Sequence, residues 1–373
     1  VIWNVPSRNC VKKNVTIPLE KYHILANSGN EFYGEHIVTL YETKFGLFPY
    51  FKNLSDPKSA VNGGIPQKIN FRAHLRQVKW DIEKAIPNPS FSGLAILDIE
   101  EWRPLWSTNW GDKRLYRIES IKYVLRRYPQ ISRKSARKIA IIEFNKAAAN
   151  IMISTIRVGI QTRPFAKWGF YGFPYCNYDA GSEGEYECSP IYQRINSRLN
   201  FILSKSKALY PSIYLYKKSE ENENFRYIHA VLKEAKRVSS QFTPKKPIFA
   251  FTRVEYQPYE NPTYYYSEFD LCNSLKQSSD LGLTGAIIWS TSYGMTISRC
   301  LDLSNYVINR LGPYMTTVIA RAKICSNKNC LRHGQCVRDE QQCNSLTKYS
   351  CECDFGYRGD HCQYRYYLSW LNN

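Results

Sequence analysis

The chain of 373 residues carries 51 Lys and Arg against 32 Asp and Glu, a formal net charge of +19, with 43% hydrophobic and 22% charged residues. That composition excludes a disordered chain and leaves mass for one large domain or two. The charge suits a polyanionic partner: nucleic acid, an anionic membrane or an acidic polysaccharide.

Read in chain order, strand-like runs at 1–5 and 36–41 precede a helix over 67–86, where Phe71, Leu75, Val78 and Ile82 form one apolar stripe. A strand at 94–98 follows, then helices over 113–128 and 132–161 and a strand at 167–172. A helix over 190–210, a strand at 212–216, a helix over 224–241, a strand at 248–254, a helix over 267–281 and a strand at 285–290 complete the series. Repeated alternation implies a parallel sheet. About seven such units suit a distorted (β/α) barrel, TIM-like, better than an open doubly wound sheet. No glycine-rich phosphate loop follows any strand, which weakens the open-sheet alternative. The barrel is expected over 1–320. No stretch approaches the ~20 apolar residues of a membrane helix, so no transmembrane segment is expected. The first residues, Val-Ile-Trp-Asn-Val-Pro, lack a charged n-region and an apolar h-region, so any signal peptide is expected to be gone already.

Seven of the 12 cysteines fall between Cys325 and Cys362. They read Cys325-x4-Cys330-x5-Cys336 and Cys351-x-Cys353-x8-Cys362, with Gly-Tyr-Arg-Gly before the last. This tail resembles an EGF-like module, expected with its flanking residues over 321–373. The resemblance implies the pairs Cys325–Cys336, Cys330–Cys351 and Cys353–Cys362. A module so small relies on cross-links. A zinc site with His333 or His361 is the rival reading, but paired C-x2-C spacing is missing, so no metal and no cofactor are expected. Cys176 and Cys188 are close enough in sequence to close a short loop. Cys10 and Cys300 stand near the two ends of the large domain, and Cys272 and Cys343 remain as a pair that would join the domains. An oxidising, extracellular setting follows, and the sequons at Asn14 and Asn53 agree with a secreted glycoprotein.

The third strand reads Leu-Ala-Ile-Leu-Asp-Ile-Glu-Glu-Trp-Arg-Pro-Leu-Trp from residue 94. Four apolar residues run into Asp98 and Glu100. On a strand these two share a face about 6.6 Å apart, and such a pair shares a proton. One carboxyl then serves as a general acid. A bare Asp-x-Glu at a strand end is more often a solvated pair. A retaining glycosidase needs its acid and nucleophile on opposite sides of the sugar, about 5 Å apart, which one strand face does not offer. A neighbouring N-acetyl group of the substrate is the alternative nucleophile.

Several segments carry a closer resemblance. They are Asn-Gly-Gly-Ile-Pro-Gln at 62–67, the 94–106 segment, Trp-Gly-Phe-Tyr-Gly-Phe-Pro-Tyr-Cys at 168–176, Ala-Leu-Tyr-Pro-Ser-Ile-Tyr-Leu at 208–215 and Gly-Ala-Ile-Ile-Trp-Ser at 285–290. With the cysteine plan they resemble the animal hyaluronidases, most of all arthropod venom and salivary members, over nearly the whole chain. The resemblance implies a secreted endo-β-N-acetylhexosaminidase cutting β-1,4 linkages of hyaluronan, or also chondroitin, with retention. Glu100 would be the proton donor, Asp98 would hold the acetamido nitrogen, and Tyr214 would position that group. Tyr171 and Trp289 would shape the sugar pocket, Tyr41 and Arg103 would bind sugar and carboxylate, and Tyr175 and Tyr256 would be cleft walls. Each aromatic has a plain packing alternative, and Arg103 an ion pair with Glu101 or Asp98. Ile99 stands where the family usually has Trp, and Val231 where many relatives carry Arg, so a weakened enzyme stays open.

Between Ser120 and Tyr178 eleven Lys and Arg face a single acid, Glu143. They would gather an acidic polysaccharide, or they simply cover solvated helix faces. Nucleic acid is disfavoured, because no nucleic-acid motif is present. A monomer is expected. Two alternatives stand: a chitinase-like hydrolase, although Gly93 and Ile96 occupy positions where those enzymes usually carry aspartates, and a catalytically weak glycosaminoglycan-binding protein.

Overall fold

The computed structural model describes residues 1–218, 222–338, 342–343 and 348–366. Residues 339–341, 344–347 and 367–373, within the expected C-terminal module, lie outside the described residues. The fold is α/β, with parallel strands and intervening helices as a (β/α) barrel requires. The chain forms two compact units: residues 37–171 with 197–207, and residues 1–36, 172–196 and 208–373.

In the 37–171 unit, strands Ile37–Tyr41, Leu94–Asp98 and Lys167–Phe170 form a parallel sheet with the middle strand at its centre. The centre strand, Leu-Ala-Ile-Leu-Asp, is buried at all five positions, which explains its unbroken apolar run. Helix Phe71–Ala85 starts where Asn70 Oδ1 accepts the Ala73 N–H at 3.2 Å. Its buried face is His74, Val78 and Ile82, with Phe71 and Leu75 only half-buried, so the true stripe is rotated about one residue from the expected one. Helix Arg133–Thr162, capped by Ser132, is long and apolar enough to cross a membrane by length and composition, which corrects the expectation that no stretch is. Its apolar face is covered within this unit by helices Phe71–Ala85 and Arg114–Arg127 and strand Lys167–Phe170.

In the other unit, strands Leu25–Ala26, Ile2–Asn4, Gly285–Trp289 and Phe249–Thr252 form a parallel sheet in that order. The expected strand at 212–216 is instead an extended segment that starts earlier. Leu209 bridges Ile248 and Ser212 bridges Phe251, both parallel. Pro211 has no N–H and interrupts the ladder, but its carbonyl accepts the Phe251 N–H at 2.8 Å. The helix expected over 190–210 is accordingly shorter: Pro190–Arg198, followed by Asn200–Leu203, which belongs to the first unit.

Other features lie beyond the sequence reading. Strands Glu255–Gln257 and Asn261–Tyr265 form an antiparallel hairpin. A helical run covers Ile297–Tyr306, a wider turn Val307–Leu311 and then Gly312–Asn329, so the expected domain boundary at 320/321 falls inside a continuous helix. Six disulfides join Cys10–Cys300, Cys176–Cys188, Cys272–Cys343, Cys325–Cys336, Cys330–Cys351 and Cys353–Cys362. No cysteine is left free to hold a metal. His361 Nδ1 meets the Asn329 carbonyl at 2.8 Å, and His333 stacks on Tyr357.

Candidate active site

The carboxylates collect at the C-terminal edge of the three-stranded sheet. In register, Tyr41 lies beside Asp98, and the Tyr171 N–H donates to the Leu97 carbonyl at 3.0 Å. Tyr41 and Tyr171, both half-buried, thus flank Asp98 on the neighbouring strands. The strand ends at Asp98, Ile99 is buried, and Glu100 emerges exposed. Ile99 serves packing, as the alternation of faces requires.

A third carboxylate holds the turn. Glu42 follows Tyr41, and its N–H donates to the Asp98 carbonyl at 3.1 Å. Its own carboxylate accepts the Glu100 N–H on Oε2 and the Glu101 N–H on Oε1, each at 2.7 Å. Burial pushes Glu42 up to about 8, against the pull of those two donors. Burial first, then the charges of Glu100 and Glu42, push Asp98 well above the usual carboxylate range. Asp98 is 8% exposed, and its Oδ1 is buried with no hydrogen-bond partner among the described residues. Burial and mutual repulsion therefore favour the protonated forms within this cluster, and it presents one unsatisfied acceptor among the described residues.

The loop beyond the acids is fixed by side chains that read as ordinary in sequence. Trp102 Nε1 donates to the Pro49 carbonyl at 2.9 Å, and the Trp106 N–H donates to Asn145 Oδ1 at 2.7 Å. Asn109 Nδ2 donates to the Arg103 and Leu105 carbonyls at 2.9 Å each. Lys113 Nζ donates to the Glu100 carbonyl at 2.6 Å, and burial lowers its pKa. Glu101, raised chiefly by burial, pairs with the Tyr116 hydroxyl rather than joining the acid pair. The Arg103 guanidinium donates to the Thr108 carbonyl at 2.9 Å and lies 4.7 Å over the Trp110 ring.

The second unit carries the remaining expected residues. Tyr214 stands on the extended segment beside strand Phe249–Thr252, and Trp289 ends the adjacent strand Gly285–Trp289. Their rings stack at 6.0 Å. Arg253, which the sequence did not single out, caps them, its guanidinium 4.0 Å from the Tyr214 ring and 5.2 Å from the Trp289 ring. Its Nε is buried without an acceptor among the described residues. Behind it, Arg299 pairs with the fully buried Glu255 at 3.1 Å. Tyr175 is half-buried, its ring against Phe173 and its backbone held by Asn196. Tyr256 corrects an expectation. It is 1% exposed, its hydroxyl bonds Asp270, and its ring packs between Tyr264 and Tyr266, so it belongs to the core and walls no cleft.

Val231 is buried on helix Glu223–Ser239. Asn14 and Asn53 are exposed. Of the eleven cations between Ser120 and Tyr178, nine are exposed on helices Arg114–Arg127 and Arg133–Thr162, so most serve as solvated helix faces. No cluster of His, Cys, Asp and Glu suited to a metal occurs among the described residues.

Comparison with known proteins agrees with this geometry. The family model described as hyaluronidase, glycoside hydrolase family 56, matches residues 1–353. A chondroitin hydrolase of Caenorhabditis elegans is 38% identical over 371 residues, 98% of this chain and 80% of that protein. A hyaluronidase of Crotalus adamanteus is 32% identical over 93% of this chain and 78% of its own length. The crystal structure of bee venom hyaluronidase in complex with a hyaluronic acid tetramer matches with a TM-score of 0.79 at 31% identity, covering 85% of this chain and 99% of that one. On these grounds the chain belongs to the hyaluronidase family and is a glycoside hydrolase.

Proposed function

We propose that the protein is a secreted endo-β-N-acetylhexosaminidase that cuts the β-1,4 linkages of hyaluronan, or also chondroitin, with retention of configuration. The orphaned, buried Oδ1 of Asp98 beside Glu100 carries this reading. An acceptor with no protein partner suits the N–H of an acetamido group. As that N–H is held, the acetamido oxygen attacks the anomeric carbon and forms a cyclic oxazolinium. Glu100 gives a proton to the departing glycosidic oxygen, then takes one from the water that opens the ring. Tyr214 orients the acetamido group, Tyr171 and Trp289 shape the pocket, and Tyr41, Tyr175 and Arg103 contact sugar or carboxylate. Arg253, half-buried against Tyr214 and Trp289, meets a uronate carboxylate as a charge-assisted donor.

Residues 1–320 carry catalysis in this reading, and residues 321–373 form an EGF-like module supported by its three disulfides. Twelve bonded cysteines support an extracellular setting, with glycans at Asn14 and Asn53 on a monomer. A reducing-end assay on hyaluronan, chondroitin and chitin tests the activity. New ends from the first two and none from chitin are expected. Polymer bound without new ends would sink the reading. Early product that NMR shows inverted at the anomeric carbon would sink substrate assistance.

A further inference from the structure

A buried acid and a buried base lie just past the two strands that lead to Arg253 and Trp289. Ile288 pairs with Thr252 in the parallel register, so Trp289 and Arg253 are the next residues on neighbouring strands. Beyond them the two chains run on separately, one into strand Glu255–Gln257 and the other into the 290–296 loop. Arg299, in the first turn of helix Ile297–Tyr306, clips the two together. Its Nη2 donates to Glu255 Oε1 at 3.1 Å and to Ser290 Oγ at 3.2 Å, and its Nη1 donates to the Tyr293 carbonyl. Glu255 is 0% exposed and Arg299 3%.

The clip is itself anchored. Thr296 Oγ1 accepts the Arg299 N–H at 3.2 Å, Cys300 is bonded to Cys10, and Lys13 Nζ donates to the Met295 carbonyl at 2.8 Å. Stability alone is a poor account of the pair, because desolvating two such charges offsets much of their attraction. Its neighbours suggest another. Burial raises the Glu255 pKa, against the pull of the Ser290 hydroxyl, of Arg299 and of Arg253. Glu255 thus interacts with two guanidinium ions and offsets the repulsion between them. Arg253 needs such support. Its Nε is buried without an acceptor among the described residues, and its guanidinium rests on the Tyr214 and Trp289 rings.

We propose that Arg299 and Glu255 are positioning residues that hold the Arg253 guanidinium over the Tyr214 and Trp289 rings, where it meets the anionic group of the substrate. Neither residue touches substrate; both act through Arg253. A planar fork bonded at once to Glu255, Ser290 and Tyr293 fixes the two chain segments more tightly than a single ion pair would. That the anionic group is a uronate carboxylate rests on the reading of Arg253 above; the clip does not.

The test uses the full chain carrying Glu100→Gln, so that ligand survives, and calorimetric titration with a hyaluronan decasaccharide and with an uncharged N-acetylglucosamine oligomer. Arg299→Lys keeps a charge against Glu255 and loses the planar fork. It should weaken the hyaluronan oligosaccharide about fivefold or more and shift the uncharged oligomer by less than about twofold. Arg253→Met should by itself lose about tenfold on the charged ligand, and adding Arg299→Lys to it should cost little more, whereas independent contributions would multiply. The double variant Glu255→Gln with Arg299→Met leaves no buried charge alone, so it should fold and bind as Arg299→Lys does. Without ligand, hydrogen exchange should quicken in peptides covering 249–257 and 285–295 in both of these variants. Losses that multiply with Arg253→Met, equal losses for charged and uncharged ligands, or unchanged exchange in both segments would overturn the proposal. So would a hyaluronan affinity that drops in Arg253→Met and holds in Arg299→Lys. Quickened exchange with hyaluronan affinity untouched in both single variants would instead keep the clip and sink the uronate contact.

Discussion

The Glu42 carboxylate accepts the backbone N–H of Glu100 at 2.7 Å, across 58 positions of sequence. This bond and its twin to Glu101 fix the peptide that carries the proposed acid, so Glu42 is a positioning residue. Glu42→Gln replaces one acceptor oxygen with a donor facing an N–H. We expect kcat to fall about 10- to 100-fold with KM little changed, as when a supporting hydrogen bond to a reacting group is lost. The variant also removes a raised carboxyl whose charge bears on Asp98, so the alkaline limb of the pH–rate profile should move to lower pH. A stability loss with kcat and pH profile both intact would reduce Glu42 to a structural role.

Glu42 also marks where sequence reading stops. The strand ending in Asp98 was legible because four apolar residues run straight into acids, and its full burial matches that pattern. Glu42 carries no such local signal, because it meets Glu100 only through the parallel pairing of two strands. Arg253 was hidden in the same way: it closes an apolar run, but its position over Tyr214 and Trp289 needs three segments in register. The strand expected at 212–216 starts earlier, because Pro211 breaks the donor pattern that defines a strand while leaving its carbonyl in use. Tyr256 failed differently, since a tyrosine's sequence neighbours do not say whether its hydroxyl meets solvent or a buried Asp270.

The acid pair makes a paired prediction. Glu100→Gln keeps size and hydrogen bonding but carries no transferable proton, and kcat should fall by about 10³-fold or more. Asp98→Asn turns the orphaned acceptor region partly into a donor and removes one charge beside Glu100. Its kcat should also collapse, and the residual activity should show an alkaline limb at lower pH, because one repelling carboxylate is gone. Calorimetric binding of hyaluronan oligosaccharide should survive Glu100→Gln. Near-wild-type turnover in that variant would remove Glu100 from the chemistry.

Arg253 separates binding from chemistry. Arg253→Met keeps much of the packing against the Tyr214 and Trp289 rings but loses the charge. If the guanidinium meets a uronate, KM on hyaluronan should rise about tenfold, the scale of a charge-assisted bond, and salt should weaken binding less than in wild type. An uncharged N-acetylglucosamine oligomer used as a competitive ligand should bind both proteins alike. Equal loss for charged and uncharged ligands would mean that Arg253 only supports the rings.

Tyr256 gives a check on the corrected reading. Removing its hydroxyl in Tyr256→Phe strips a bond from buried Asp270, which keeps Asn224 and Asn273 as donors. A loss of about 1–3 kcal/mol in stability is expected, the cost of taking one donor from a buried acceptor, with KM unchanged. A raised KM at unchanged stability would restore the cleft-wall role.

His74 offers a prediction about stability against pH. It is fully buried on helix Phe71–Ala85, with Nε2 2.9 Å from the Thr155 hydroxyl and Nδ1 accepting the Leu47 N–H at 3.0 Å. An accepting Nδ1 requires the neutral ring. Burial lowers its pKa from 6.5 to about 4. The folded state therefore resists a proton that the unfolded chain accepts. Its contribution is fully present above pH 6.5 and is lost as pH falls toward 4, at up to about 1.4 kcal/mol per pH unit. Glu42 acts with the opposite sign: raised from 4.5 to about 8, it stabilises below pH 4.5 and loses that contribution as pH rises toward 8. The two slopes offset each other between about pH 4.5 and 6.5, so wild-type stability should vary little there on their account. His74→Gln removes one slope and leaves the other. Urea unfolding at pH 5 and pH 6.5 should then show the variant gaining about 2 kcal/mol relative to wild type on acidification, whatever its absolute cost. Parallel pH dependences in the two proteins would mean that His74 takes up its proton in the folded state.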